Sequence, residues 1–234
     1  MNSIIIGGTS GIGLETARYL EKKGYEVVIG SRNRRKDEDG IRFVPIDVTS
    51  ESSIENFFYA IDFDHIDSLI YSAGVTTKQK SIRDFNVEEY RRVHDVNLLG
   101  AILTLKYAFP LLKKAKKGKV VIVSSFASRT YSQLSGFEYT VSKAGLSGLV
   151  KQLAVEWAQE GILINNVYPS MVDTPMLREN VEASVLQEIE SSIPLGRIAQ
   201  PQEVVAAIEF LISTGNSYIT GAGLDINGGQ FLSG

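Results

Sequence analysis

The sequence predicts a single-domain, Rossmann-like α/β protein with a doubly wound parallel sheet of about seven strands and helices on both faces. Short apolar runs alternate with longer amphipathic segments along the whole chain, which is the pattern of repeated β-α-β units. Runs such as VVI, LIY and VVIV are rich in β-branched residues and barely alternate in polarity, as expected of strands buried on both faces. No linker, low-complexity tract or internal repeat interrupts the 234 residues, so one domain over 1–234 is expected.

The apolar runs predict strands at 3–6, 26–30, 42–46, 68–71, 119–124, 163–167 and 219–225. The amphipathic segments predict helices at 12–23, 50–61, 87–113, 138–159 and 202–213. Stop and start signals agree with these bounds, since Gly24 follows two lysines at the end of the first helix and Pro201 stands at the start of the last. Only residues 31–41 connect the second and third strands, so we expect a charged loop or a single turn there.

Composition excludes several classes of function. The 24 Lys and Arg against 27 Asp and Glu give a net charge of -3, which argues against a nucleic-acid partner. The absence of cysteine excludes disulfides and thiol nucleophiles, and with only two histidines we predict no metal site. The chain opens without the pattern of a signal peptide, and no stretch approaches the ~18 apolar residues of a membrane span. We therefore expect a cytoplasmic protein with no membrane partner.

A glycine-rich turn follows the first predicted strand. It reads Gly7-Gly8-Thr9-Ser10-Gly11-Ile12-Gly13 and leads directly into an amphipathic helix. Glycines permit a tight turn and let the backbone approach a pyrophosphate, while the helix N-terminus offers N–H donors to the phosphates. The spacing differs from G-x-G-x-x-G and from the phosphate-binding P-loop, so a purely structural turn is the alternative. We predict that this turn binds a dinucleotide.

The end of the second predicted strand indicates which dinucleotide. Residues 31–35 include Ser31 and Arg32 but no carboxylate that could hold the ribose hydroxyl of NAD. Ser31 can donate a hydrogen bond to the 2'-phosphate of NADP, and Arg32 can pair with that phosphate and stack on adenine. A surface arginine cluster without a ligand is the alternative. The sequence favours NADP(H) over NAD(H).

Tyr139 and Lys143 are four residues apart on a predicted helix, so their side chains emerge on one face. A cation beside a phenol favours the phenolate and lowers a pKa that is ordinarily about 10, so Tyr139 could exchange a proton with a carbonyl oxygen. Tyr19 and Lys23 have the same spacing, so context must decide. Ser125 ends a buried strand at the sheet edge where ligands bind, and it could hold the substrate oxygen. A local cap is the alternative for this serine.

These motifs, in this order, resemble those of the short-chain dehydrogenase/reductase family over essentially the whole chain. Residues 6–13 resemble its T-G-x-x-x-G-x-G turn, with Ile6 in place of Thr. Ser72-Ala73-Gly74 is similar to its N-A-G motif, and 169–174 resemble its P-G-x-V-x-T segment with Ser170 in place of Gly. The closing motifs at 194–197, 218–221 and 225–229 are similar to the 3-oxoacyl-carrier-protein reductase-like branch.

The resemblance implies roles for individual residues. Tyr139 would be the acid/base, Ser125 would orient the carbonyl, and Asn97, a polar residue in an apolar stretch, would anchor a proton-relay water. Lys143 would hold the nicotinamide ribose and lower the pKa of the tyrosine. Further cofactor contacts are implied for Asp47, Val48, Ser72, Ala73, Gly74, Pro169, Val172 and Thr174. A homo-oligomer, either tetramer or dimer, is implied through the helices at 87–113 and 138–159.

We therefore expect an NADP(H)-dependent oxidoreductase that interconverts a carbonyl and a secondary alcohol, with a 3-oxoacyl thioester as one candidate substrate. A sugar or another small ketone stays open, because many reductases share the closing motifs. Residues 175–193 are expected to form a mobile substrate lid that names no substrate. A hydrolase is excluded, since no G-x-S-x-G elbow occurs and no histidine follows His94. A non-catalytic nucleotide-sensing protein is the other alternative, and the intact set of Asn97, Ser125, Tyr139 and Lys143 counts against it.

Overall fold

The computed structural model describes residues 1–33 and 40–232. The centre of the short crossover predicted at 31–41, residues 34–39, lies outside the described residues. The strands are β1 (Asn2–Ile6), β2 (Glu26–Ser31), β3 (Ile41–Pro45), β4 (Ser68–Tyr71), β5 (Lys119–Val123), β6 (Leu163–Pro169) and β7 (Gly223–Ile226). All pair in parallel, in the order β3-β2-β1-β4-β5-β6-β7. The predicted fold is confirmed, and the strand order reverses between β1 and β4, where ligands bind in such sheets.

Helices cover both faces of this sheet. They are α1 (Gly11–Lys22), α2 (Glu51–Ala60), α3 (Val87–His94), α4 (Gly100–Lys114), α5 (Phe137–Trp157), α6 (Pro175–Asn180), α7 (Ala183–Ser192) and α8 (Pro201–Ile212). Alternate residues of β1 face the two cores, because side chains of a strand point to opposite faces. Ile4 and Ile6 belong to the core with apolar residues of α2, α4 and α5, whereas Ile5 belongs to the core with α1 and α8.

The helix predicted at 87–113 contains an irregular turn in its middle. Residues Asp95–Leu99 form a π-helical turn between α3 and α4. The fully buried Tyr71 at the end of β4 donates a 2.6 Å hydrogen bond from its hydroxyl to the carbonyl oxygen of Val96 within this turn. The helical periodicity of the sequence predicts where the helical segment begins and ends, but it does not predict the π-helical turn within it. Such turns occur frequently at functional sites, and this one contains Asn97.

The helical segment Val87–Lys114 is long enough, and in its most apolar 18-residue window apolar enough, to be compared with a membrane-spanning helix. The sequence-based expectation that no stretch approaches a membrane span counted only uninterrupted apolar runs, and it therefore did not include this helix. In the structure 44% of the most apolar window is buried, and Leu105, Ala108 and Leu112 of α4 belong to the core beneath the sheet. The segment is a core helix whose apolar composition is explained by that packing.

The last strand begins later than predicted, at Gly223 instead of 219. The side chain of the buried Asn165 in β6 bonds to both ends of the preceding segment, donating to the carbonyl oxygen of Ile219 at 2.9 Å and accepting from the N–H of Ala222 at 3.0 Å. The Asn165 amide therefore supplements the backbone hydrogen bonds between β6 and this segment, which run from the N–H of Gly221 to the carbonyl oxygen of Ile164 and from the N–H of Asn166 to the carbonyl oxygen of Ala222, both at 2.8 Å. The apolar pattern of a sequence does not show whether the backbone of a segment is hydrogen-bonded by a neighbouring strand, by a side chain or by both.

Residues 175–193, predicted as a substrate lid, contain the short helices α6 and α7. Leu186, Ile189, Ile193 and Ile198 form a small apolar cluster separate from the two main cores. Leu134 and Met171, which come from other segments that line the cleft, pack against this cluster, so the segment lies above the carboxyl ends of the strands.

Candidate active site

A cleft opens along the carboxyl ends of the strands, with a cavity volume of about 660 Å³. Its lining comes from the glycine turn after β1, the ends of β2, β4, β5 and β6, the first turns of α5, and α6. One cleft therefore brings together the predicted cofactor residues and the predicted catalytic residues.

The glycine turn has a conformation that requires glycine at several positions. Gly7 and Gly11 have φ values of +85° and +52°. A Cβ atom at Gly7 would lie 2.6 Å from the backbone nitrogen of Ala73, and one at Gly13 would lie 2.3 Å from the carbonyl oxygen of Gly7. Without side chains there, the N-terminus of α1 opens directly onto the cleft, as a pyrophosphate group requires. The turn fits a dinucleotide.

The rim of the cleft at β2 carries the residues predicted to choose between the two nicotinamide dinucleotides. Thr9 donates a hydrogen bond of 3.0 Å from its hydroxyl to that of Ser31. Arg32 is exposed at this rim and lines the cleft together with Asp47. Hydrogen bonds from Thr49 lower the pKa of Asp47, and the charge of Arg32 adds to this effect. A guanidinium and a hydroxyl thus face the same end of the cleft.

Tyr139 lies in the first turn of α5 and lines the cleft beside Ser125. Burial raises the pKa of Tyr139, while a hydrogen bond with Ser125 acts in the opposite direction. The hydroxyl of Ser125 also accepts a 3.1 Å hydrogen bond from the N–H of Ala127, as N-cap of the short 3-10 turn Phe126–Ser128. The sequence left open whether Ser125 is a local cap or an active-site residue. In the structure Ser125 caps the 3-10 turn and also lines the cleft.

Lys143 lies one turn further along α5 and is 4% exposed. Its Nζ donates a 2.9 Å hydrogen bond to the carbonyl oxygen of Val123 and lies 5.8 Å from the ring centre of Tyr139. Burial lowers the pKa of Lys143 to about 8. The sequence predicts a lowered pKa for Tyr139 from this cation, whereas burial of the phenol dominates in the structure and raises it. The predicted lowering of the Tyr139 pKa is therefore wrong in direction.

A protein-family model described as enoyl-(acyl carrier protein) reductase matches residues 7–230. The chain belongs to the short-chain dehydrogenase/reductase family. It is 34% identical to 3-oxoacyl-(acyl-carrier-protein) reductase FabG of Aquifex aeolicus, over 98% of this chain and 96% of that protein. It is also 34% identical to cis-4-hydroxycyclohexanecarboxylate dehydrogenase of Sinomonas cyclohexanicum, over 97% and 95% of the two chains. The short-chain dehydrogenase/reductase fold is thus present over its full length, in the 3-oxoacyl-carrier-protein reductase-like branch.

Solved structures agree with this assignment. ElxO with NADP bound superposes with a TM-score of 0.90 at 29% identity, covering 98% of each chain. The complex of 3-ketoacyl-(acyl-carrier-protein) reductase from Brucella melitensis with NADH superposes with a TM-score of 0.90 at 28% identity, covering 98% of this chain and 97% of that one. The protein is therefore an oxidoreductase of a family that binds nicotinamide cofactors and acts on alcohols and ketones.

The short-chain dehydrogenase/reductase motifs meet in the cleft with two exceptions. The cleft is lined by Gly7, Thr9, Ser10, Gly11, Ile12, Ser31, Arg32, Asp47, Val48, Ser72, Ala73, Gly74, Ser125, Tyr139, Lys143, Pro169, Val172 and Thr174. Gly13, predicted to contact the cofactor, instead lies behind the turn against the carbonyl oxygen of Gly7, where it lets α1 approach the sheet closely.

Asn97 is the second exception, because it is fully buried and does not line the cleft. Its Oδ1 accepts a 2.8 Å hydrogen bond from the N–H of Val75, and its Nδ2 donates to the carbonyl oxygen of Val75 at 3.0 Å and to the hydroxyl of Ser142 at 2.9 Å. These contacts make Asn97 a positioning residue that holds the segment after β4 against α5. The relay-water role implied by the family remains a prediction.

Sequence reasoning missed most of the substrate side of the cleft. This part is lined by residues 75–78, 130–135 and Gln230, which belong to connections and to the chain end. The substrate-side residues could have been found from their positions in the chain, because they follow the carboxyl ends of parallel strands, where connections form the binding crevice. The residue types alone, mostly Thr, Ser and Gln, give no such signal.

Proposed function

We propose that this protein is an NADP(H)-dependent oxidoreductase that interconverts a carbonyl and a secondary alcohol, with Tyr139 as the general acid/base. The observation that carries this proposal is the position of the Tyr139 phenol, which lines the cleft beside Ser125 and one helical turn from Lys143. A glycine turn with no side chain in the path of a pyrophosphate opens into the same cleft.

The residues support a stepwise assignment of roles. With its pyrophosphate on the glycine turn, a nicotinamide dinucleotide would supply a hydride to the carbonyl carbon or accept one from the alcohol. Ser125 would donate a hydrogen bond to the substrate oxygen and orient it. Tyr139 would give its proton to that oxygen as negative charge develops there, leaving a phenolate, and would take the proton back in the reverse reaction. The charge of Lys143 would stabilise the phenolate. The raised pKa of Tyr139 keeps the phenol protonated at neutral pH, which suits a proton donor.

A preference for NADP(H) is supported by the rim at β2. The hydroxyl of Ser31 and the guanidinium of Arg32 face the end of the cleft where the adenosine ribose would lie, and residues 31–35 include no carboxylate. A guanidinium pairs with a phosphate through charge-assisted hydrogen bonds, whereas a 2'-hydroxyl offers it much less. Relatives in this family have been solved with either dinucleotide, so the rim residues of this chain carry the preference.

A 3-oxoacyl thioester is the first substrate class supported, because a 3-oxoacyl-(acyl-carrier-protein) reductase aligns over nearly the full chain. Met176, Leu177 and Val181 line the cleft from the proposed lid and offer an apolar wall to an acyl chain. A hydroxylated or oxo-substituted ring acid is the second, since a dehydrogenase for such a compound aligns equally well. We include in the proposal that residues 175–193 close over the substrate.

A homo-oligomer is part of the proposal. Ile102 of α4 and Val141 and Val155 of α5 are apolar side chains exposed by 39%, 47% and 78%. Apolar surface along two neighbouring helices suits burial against a second copy. Sedimentation analysis of the purified protein tests this, with a dimer or tetramer expected and a monomer contradicting it.

The proposed function is tested by calorimetric titration of the protein with NADPH and NADH, followed by absorbance assays of nicotinamide oxidation with acyl thioesters, oxo sugars and simple ketones. Tight NADPH binding and turnover of one class are expected. The Arg32→Ala variant should weaken NADPH binding by about tenfold or more and leave NADH binding nearly unchanged. Equal losses for both nucleotides would remove Arg32 from the 2'-phosphate, and binding of neither nucleotide would overturn the proposal.

A further inference from the structure

Lys78 lines the substrate side of the cleft and is exposed to it. Within the described part of the chain, its ammonium group has neither a hydrogen-bond acceptor nor an ion-pair partner. The charged residues among the described lining are Arg32 and Asp47 at the cofactor rim, Lys143 beneath Tyr139, and Lys78. The substrate side, as described, therefore presents a positive charge with no carboxylate to balance it.

The backbone around Lys78 is hydrogen-bonded to the segment that leads into α5. Lys78 forms an antiparallel bridge with Ser135, and the N–H of Gly136 donates to the carbonyl oxygen of Thr77 at 3.2 Å. The hydroxyl of Thr76 donates to that of Ser135 at 2.8 Å. Ser135 stands four residues before Tyr139 in the chain, so this pairing fixes Lys78 next to the entry of α5 and hence beside the space in front of Tyr139.

The nearby Lys80, in contrast to Lys78, has a structural role. Its ammonium pairs with Glu89 of α3, and it lies 3.2 Å from the Oε1 atom of Glu138, a fully buried carboxylate of α5. The Oε2 atom of Glu138 accepts a hydrogen bond from the hydroxyl of Thr77 at 3.3 Å. These contacts use Lys80 to clamp the segment to the helices. Among the described residues, the ammonium group of Lys78 takes no part in this clamp, which leaves its charge for a ligand.

We propose that Lys78 binds an anionic group of the substrate, a carboxylate or a phosphate, at a distance from the carbonyl that Tyr139 protonates. This inference rests on the proposed function and specifies its substrate class. An ammonium at the wall of a cleft is less screened than one in open solvent, so a substrate anion gains more from it there than at the surface. Neutral ketones would lack this contact and bind more weakly.

The test compares anionic substrates with neutral partners of the same shape in the wild-type protein and in Lys78→Ala. One pair is an oxocyclohexanecarboxylate and its methyl ester, and the other is acetoacetyl phosphopantetheine and acetoacetyl pantetheine. The two pairs distinguish a carboxylate from a phosphate. Lys22→Ala, in the last turn of α1 away from the cleft, removes the same charge and serves as the control.

In at least one pair the wild-type kcat/KM should favour the anion by about tenfold or more. Lys78→Ala should abolish this preference through KM with little change in kcat, and should leave the neutral partner unaffected, while Lys22→Ala retains it. No preference in either pair, or equal losses for both members in Lys78→Ala, would overturn the proposal. If no ketone is turned over, the proposed function fails, and calorimetric titration of the two anions decides about Lys78: binding lost in Lys78→Ala supports it, and unchanged or undetectable binding overturns it.

Discussion

The side-chain amide of Asn97 donates a 2.9 Å hydrogen bond to the hydroxyl of Ser142, which in turn donates one of 2.8 Å to the carbonyl oxygen of Tyr139. This chain of bonds joins the π-helical turn Asp95–Leu99 to the first turn of α5. The same amide bonds to both backbone groups of Val75, at the start of the substrate-side segment. Asn97 and Tyr139 therefore belong to one polar network, although only Tyr139 faces the cleft.

Asn97→Ala should cost much more stability than Ser142→Ala. The first change leaves both backbone groups of Val75 without their partner and removes the donor to the Ser142 hydroxyl, so we expect a loss of about 3 kcal/mol in the free energy of unfolding. The second removes one hydroxyl and should cost about 1 kcal/mol. Denaturant titration of the two variants measures both losses. Asn97→Ala with wild-type stability would show that the network does not hold this part of the fold.

The burial of Lys143 predicts a pH dependence of stability. Folding lowers its pKa from 10.5 to about 8, so below pH 8 the folded protein carries the full cost of a desolvated ammonium. As the pH rises from 8 toward 10.5, the unfolded chain binds more protons than the folded one, and this cost disappears. The wild-type protein should therefore gain about 3 kcal/mol relative to Lys143→Met across this range. Unfolding curves at several pH values measure the difference, and a gap independent of pH would contradict the burial argument.

Two glycines in helices should respond oppositely to alanine. A Cβ atom at Gly13 would lie 2.3 Å from the carbonyl oxygen of Gly7, so Gly13→Ala must push α1 away from the turn. We expect it to lower stability by more than 1 kcal/mol and to weaken cofactor binding. Gly148 of α5 has nothing within 4 Å of the added atom in its own chain, so Gly148→Ala should raise the unfolding free energy of the dissociated monomer by up to about 1 kcal/mol. Thermal unfolding and NADPH titration compare the pair, and equal effects would refute the packing role of Gly13.

The fold and the position of the predicted cofactor residues along the cleft could be predicted from the sequence because their signals are local. Unbroken apolar runs mark buried parallel strands, and the glycines at 7, 11 and 13 mark a turn that excludes side chains. Tyr139 and Lys143 share a helix face, which follows from their spacing alone. The positions of these residues in the structure need no information from distant parts of the chain.

The remaining features depend on contacts between distant segments. The carbonyl oxygen of Val96 in the π-helical turn accepts a hydrogen bond from the Tyr71 hydroxyl, which belongs to β4. The Asn97 amide bonds to Val75 and Ser142, which lie on two other segments of the chain. The pKa of Tyr139 rises because the fold buries it, and no neighbour in sequence indicates this. Lys78 enters the cleft through its pairing with Ser135, across more than fifty residues of chain.

Tyr139→Phe tests the central claim most directly. Removing the hydroxyl takes away the proton donor while leaving the aromatic ring that fills the cleft wall, so kcat for carbonyl reduction should fall by about a hundredfold or more. NADPH affinity, measured by calorimetry on the same preparation, should stay within about twofold, as the hydroxyl is not required for the glycine turn or for Arg32 to act. A variant that binds NADPH normally and turns over normally would contradict the assignment of Tyr139 as the acid/base.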